Sequence, residues 1–305
     1  MKKIILLFIC FPFLLTACTV SSAKEYENTL VVVASFYPVY ILAKNITEGV
    51  PGVVLENMAQ PQTGCLHDYQ LTTKDRKAIE NADLFLINGA GMESFLNGVQ
   101  RQYPQLPVVD TSQGIALLHS HQHHHHAEEE HHHEFENGHI WLSSENGMIQ
   151  AENICNALVQ KDPDHAEQYQ KNLEAFRSNI HSFQSTQPLS KGNAQKAVIF
   201  HEGFDYISEE YGFVVEGEIL AEENQTPSAK ELAQIIDHAK QQQIKLFFTA
   251  DDAGRAYAEL IANEVGGSVY LLDPITSGPM EKEAYLNALY YNQKTIQEAL
   301  DNGYS

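Results

Sequence analysis

"TTKDRKAIENADLFLINGAGMESFLNGVQRQYPQLPVVD" runs from Thr72 to Asp110, and its pattern changes three times. "TTKDRKAIENA" reads as a helix, with Thr72 or Thr73 as the N-terminal cap and Asp75 in the first turn. "DLFLING" is a short apolar strand, "MESFLNGVQRQY" a second helix and "LPVVD" a second strand. Strand, helix, strand with no hairpin turn between them predicts βα units on a mostly parallel sheet. Upstream, "LVVVAS" from Leu30, a helix over Tyr37 to Ile46 and the strand "VVLEN" continue the alternation.

The alternation stops at Thr111. Residues 111–138 show no period and hold "HSHQHHHHAEEEHHH", His119 to His133. A loop this long inside an ordered chain is functional or a spacer. From Ser144 to Gln184 the reading is helical, with a break at Asp162-Pro163, where Pro163 fits a first turn capped by Asp162. Tyr169, Leu173, Phe176 and Ile180 then give one apolar face. Beyond "QPLSKGNAQ" the strands "KAVIF", "FVVEGEI", "IKLFFTA" and "GSVYLLD" alternate with helices, and a long helix over about Lys282 to Leu300 closes the chain. The expected plan is α/β: two lobes with mostly parallel sheets flanked by helices, an N-terminal lobe over 30–162, a linking helix over 163–187 and a C-terminal lobe over 188–305.

The first residues belong to a leader. Lys2 and Lys3 precede an apolar run from Ile4 to Leu15, too short to span a bilayer, and then Leu15-Thr16-Ala17-Cys18. That ending resembles a bacterial lipobox, which predicts a lipid anchor on Cys18 after loss of 1–18, with 19–29 as a polar tether. A plain secretory leader is the alternative. Without Lys2 and Lys3 the net charge moves from −21 to −23, a surface that repels nucleic acid and anionic lipid. Past Cys18 only Cys65 and Cys155 remain, which excludes a cysteine-rich zinc cluster.

Six histidines lie outside the tract. His165, His181 and His238 sit on predicted helices among polar neighbours and read as solvated. His67 in "CLHDY", His139 in "GHIWLS" and His201 in "VIFHEGF" sit at loop positions. Parallel α/β folds gather their sites at the carboxyl ends of strands, so these three are candidates for one site in a crevice. Core histidines bonded to backbone are the competing reading, because no local zinc motif is present.

Five ordered segments extend the argument. "HDYQLTTKDRKAIENADLFLINGAGMESFL", "GHIWLS", "VIFHEGFDYISEEYGF", "TPSAKELAQII" and "LLDP" resemble the metal-binding solute-binding lipoproteins of bacterial ABC importers, in particular their zinc branch. The resemblance covers nearly all of the chain after the leader. It implies two lobes joined by a rigid long helix, with metal in the cleft between them. It implies Zn2+ as the bound ion and His67, His139 and His201 as ligands. Asp273 in "LLDPITSG" matches the aspartate some members use as a fourth ligand. Others use water, or a glutamate directly before the first histidine, where this chain has Leu66. Cys65 lies two residues from His67, and the resemblance supplies no thiolate there. Asp68 and Glu202 adjoin ligands and read either as acceptors for an imidazole N–H or as solvated acids.

Three imidazoles and one oxygen suit zinc, whereas manganese prefers carboxylates. The resemblance therefore implies an extracytoplasmic, lipid-anchored receptor that captures zinc for an ABC permease, acting as a monomer and without catalysis. A manganese receptor of the same family is one alternative. A zinc hydrolase with Glu202 as base is another. The tract residues His119, His121, His123, His124, His125, His126, His131, His132 and His133 are expected to form weak auxiliary metal sites beside three glutamates. They would release metal as the imidazoles charge near pH 6.

Overall fold

The computed structural model describes residues 29–60, 65–120, 135–186, 195–219 and 227–302. The leader, Cys18 and all tract histidines except His119 lie outside those residues.

The first lobe is built on β1 (Leu30–Ala34), β2 (Val53–Asn57), β3 (Leu84–Ile87) and β4 (Val108–Asp110), in the order β2-β1-β3-β4, all parallel. β3 is buried along its whole length, which explains its unbroken apolar run. Helices α1 (Tyr37–Thr47), α2 (Thr73–Glu80) and α3 (Leu96–Gln102) connect the strands. Thr72 is the cap of α2. Its side chain accepts from Asp75 N while the Asp75 carboxylate accepts from Thr72 N, satisfying two end donors at once.

The second helix of the opening stretch is shorter than its pattern predicts. Residues 92–95 lie outside the helix because Glu93 is directed into the core. Its carboxylate accepts from Ser35 Oγ at 2.8 Å, Asn88 N at 2.7 Å and Gly89 N at 3.1 Å. Those three bonds fix 88–93 as a turn, and α3 starts only after it.

Residues 111–138 are bounded by a small antiparallel pair, β5 (His119–Ser120) with β6 (Phe135–Glu136), which the sequence pattern did not reveal. A 3₁₀ turn over Ile140–Leu142 leads into α4 (Ser144–Lys161). The break at Asp162-Pro163 is present, but Asp162 does not cap in the expected way. Its carboxylate instead meets His165 Nδ1 at 2.7 Å and accepts from Tyr169 OH at 2.8 Å. A 3₁₀ turn over Pro163–His165 then precedes the long joining helix α5 (Ala166–Ser185). Tyr169, Leu173, Phe176 and Ile180 are buried along it. His165 and His238 are half-buried rather than solvated, and His238 Nε2 lies 3.0 Å from Glu216 O.

The second lobe repeats the first. β7 (Lys196–Ile199), β8 (Val214–Glu218), β9 (Leu246–Thr249) and β10 (Ser268–Leu271) form a parallel sheet in the order β10-β9-β7-β8. Numbered from its own first strand this is again 2-1-3-4. Helices α6 (Phe204–Tyr211), α7 (Ala229–Gln242) and α8 (Asp252–Val265) flank it, and α9 (Ala284–Asn302) returns across both lobes. In each sheet the chain reverses direction beside its first strand, so each lobe presents a switch-point crevice at the carboxyl end of that strand.

One apolar cluster runs through both lobes, and a second lies within the C-terminal lobe. Trp141 is fully buried at the junction of the lobes, edge-on to Phe36 at 5.1 Å between ring centroids, and its indole N–H donates to Pro274 O at 2.9 Å. Tyr285 OH donates to Trp141 O at 2.8 Å, and Tyr37 OH to Pro279 O at 3.0 Å. Glu210 accepts from both Ser144 N and Ser144 Oγ, at 2.9 and 2.6 Å.

Candidate metal centre

Three segments meet where the lobes face one another. In the first, Leu66 is fully buried and Tyr69 OH donates to Asp75 Oδ2 at 2.7 Å. With Leu66 anchored, its neighbours Cys65 and His67 are displayed at the cleft. Leu66 stands where some members place a glutamate, and here that position serves packing.

The second segment is Asn137 to Leu142. Asn137 is 1% exposed, and its Oδ1 accepts from His139 N at 3.1 Å and lies 3.0 Å from His139 Nδ1. Its Nδ2 donates to Glu202 O at 2.9 Å, across the cleft. Asn137 thereby holds the proton of His139 on Nδ1 and leaves the Nε2 lone pair facing inward, the arrangement a ligating imidazole requires. Nothing in the spacing of Asn137 marked it, because its role depends on a contact 65 residues away.

The third segment leaves β7. His201 lies two residues past the end of the strand, and Gly203 N donates to His201 Nδ1 at 3.1 Å. With that bond the neutral His201 ring carries its proton on Nε2. An ion held at Nε2 would require that proton on Nδ1 instead, at the expense of the Gly203 contact.

The three rings converge. Centroids of His67 and His139 are 5.1 Å apart, and those of His139 and His201 are 4.9 Å apart. Donor atoms fall into two overlapping sets, each mutually within 4.8 Å: Cys65, His139 and His201, and His67, His139 and Glu202. Glu202 Oε1 is 3.1 Å from His67 Nε2 and 3.5 Å from His139 Nδ1, so it orients imidazoles in the way expected of one of the two acids. Asp273 joins neither set. Its Oδ1 accepts from Ile275 N at 2.7 Å, and its backbone N–H donates to Asn292 Oδ1. Burial raises the Asp273 carboxyl above the ordinary range.

Burial keeps two of the imidazoles unprotonated. Burial, with the other imidazoles nearby, holds His139 well below the usual histidine range, and burial pushes His201 down to about 4. Both are neutral at pH 7. His67 is raised, chiefly by its hydrogen bond to Glu202.

Gly203 makes the convergence sterically feasible. A Cβ there would lie 2.6 Å from Leu142 Cδ1 and 2.9 Å from His139 Cβ. Gly203→Ala is therefore expected to push the His139 segment off the His201 loop and weaken metal binding about 10–100-fold while the chain stays folded. Titration calorimetry beside a thermal melt checks both halves of that expectation.

Fold and site together define a two-lobed solute-binding receptor with a nitrogen-rich metal centre between its lobes. The chain belongs to the family described as "ZnuA: Zinc-uptake complex component A periplasmic", whose model matches residues 32–299. The high-affinity zinc uptake system protein ZnuA of Bacillus subtilis is 29% identical over 311 residues, 95% of each chain. The zinc-binding lipoprotein AdcA of Streptococcus pneumoniae is 28% identical over 318 residues, and the chain spans 62% of its length. A crystal structure of ZnuA superposes with a TM-score of 0.72 at 26% identity, over 89% of this chain and 99% of that one.

Proposed function

We propose that this protein is the extracytoplasmic receptor of a zinc importer, binding Zn2+ in the cleft and passing it to an ABC permease. The observation that supports the reading is that His67 and His201, from two distant segments, each lie against His139, with ring centroids 5.1 and 4.9 Å away, although the two belong to different donor sets. Neutral imidazoles in a partly desolvated cleft match the donor preference of zinc. The family relationship supports the same cargo. His67, at 42% side-chain exposure, is the ligand at the mouth, and it turns from Glu202 to the ion. We assign no catalytic role, in keeping with a family of zinc-uptake components.

Cys18 carries the lipid anchor in this reading, residues 30–162 and 188–305 act as the two lobes, and one copy suffices for binding. His119 is exposed at the base of the tract, and the other tract histidines supply weak sites that raise the local metal concentration. The glutamates among them attract a dication over roughly a Debye length, about 8 Å at physiological salt.

The β5–β6 pairing makes the test of the tract clean. Ser120 and Phe135 are directly paired, so residues 121–134 can be replaced by Asn-Gly, which closes an antiparallel pair as a tight turn. The excised protein is expected to lose its weak sites and keep one tight zinc site. Equilibrium dialysis with metal analysis counts both. If the tight site disappears with the tract, the cleft is not where zinc binds.

A further inference from the structure

We propose that the Cys65 thiolate is a ligand of the cleft ion, making this centre histidine-and-thiolate rather than histidine-and-carboxylate. The proposal rests on the zinc-receptor reading and sharpens it.

The geometry points to Cys65 directly. Its Sγ lies 3.2 Å from His139 Nε2 and 3.7 Å from His201 Nε2. In a tetrahedral zinc site with bonds of about 2.3 Å to sulfur and about 2.0–2.1 Å to nitrogen, ligand sulfur and nitrogen stand about 3.6 Å apart. The two observed separations bracket that value. Moreover, the Nε2 atoms concerned are the inward ones: Asn137 occupies the other nitrogen of His139, and Gly203 that of His201. His139, 1% exposed, turns its lone pair on the sulfur and on no carboxylate.

The competing oxygen ligand is committed elsewhere. Asp273 is tied to Ile275 N and Asn292, outside both donor sets. Cys65 forms no disulfide, and Cys155 is buried away from it in α4. On coordination the S–H proton leaves to solvent and a sulfur–metal bond takes its place, with no change in oxidation state. His67 adds the fourth donor once it swings from Glu202. A thiolate shifts preference toward borderline and soft cations, zinc and cadmium, and away from manganese.

Cobalt(II) reports the difference optically, because a sulfur ligand gives a strong near-ultraviolet charge-transfer band that nitrogen and oxygen ligands do not. One equivalent of Co2+ is added to the reduced full chain and to Cys65→Ser, Cys155→Ser and Cys18→Ser. The band is expected in wild type, Cys155→Ser and Cys18→Ser, and absent in Cys65→Ser. Cys65→Ser should also bind Cd2+ at least tenfold more weakly than wild type, with a larger loss for Cd2+ than for Zn2+. A tight site with visible Co2+ bands but no charge-transfer band in wild type overturns the thiolate and leaves the receptor reading standing. No stoichiometric tight site in wild type overturns both.

Discussion

His139→Ala is expected to abolish the tight zinc site, weakening binding by more than about 100-fold, beyond what loss of an orienting neighbour costs. His139 belongs to both donor sets, so no rearrangement of the remaining side chains replaces it. It is also the residue on which the two lobes meet: Asn137 fixes it from one side, and His201 packs against it from the other. His67→Ala should cost less, because that ring is partly exposed and bonded to Glu202 in the metal-free chain. Competition against a chelator of known affinity measures both variants, and an unchanged far-ultraviolet spectrum shows that the fold survives. A His139→Ala protein that keeps the tight site would refute the assignment.

Glu93→Ala is expected to cost about 3–5 kcal/mol of folding stability. The carboxylate serves Ser35 Oγ, Asn88 N and Gly89 N, and its removal strands three buried donors at about 1–3 kcal/mol each, partly recovered by water. A pH dependence follows from the same burial. Desolvation pushes the Glu93 carboxyl from 4.5 up to about 7. Between those values the folded chain holds a proton that the unfolded chain has lost. Stability from this group is therefore full below about pH 4.5 and declines as pH rises toward 7. Glu93→Gln removes that slope, although its amide nitrogen must face donors and costs about 1–3 kcal/mol at low pH. Urea unfolding of metal-free protein at about pH 5 and about pH 8 separates the variants; equal slopes for wild type and Glu93→Gln would disprove the account.

The strands and helices were legible because each carries its own period and caps. "TTKDRKAIE" contains the Thr72–Asp75 box, and "LFLI" is apolar because both its faces are covered. What the period of "MESFLNGVQRQY" concealed was Glu93, whose inward turn is decided by Ser35 and Asn88 from other segments. The same limit applies to the metal centre. His67, His139 and His201 stood out as residue types at loop positions, and the resemblance grouped them. Asn137 and Gly203 act through contacts between segments far apart in the chain, which no local spacing records. Cys65 was visible, but its neighbours in space were not. Asp273 matched a motif, yet its carboxylate is engaged by the turn that follows it.

The bonds that cross between the lobes set how cargo can leave. Trp141 to Pro274, Tyr285 to Trp141, Tyr37 to Pro279, Asn137 to Glu202 and the Ser144–Glu210 pair must all break if the halves part. At about 0.5–1.5 kcal/mol net apiece, with a buried indole besides, spontaneous opening is a rare event. In the receptor reading, exchange with the medium then takes place at the mouth of the cleft, where the His67 side chain is 42% exposed, rather than between separating halves. In that reading the work of release falls to whatever docks on the receptor, not to its own fluctuations.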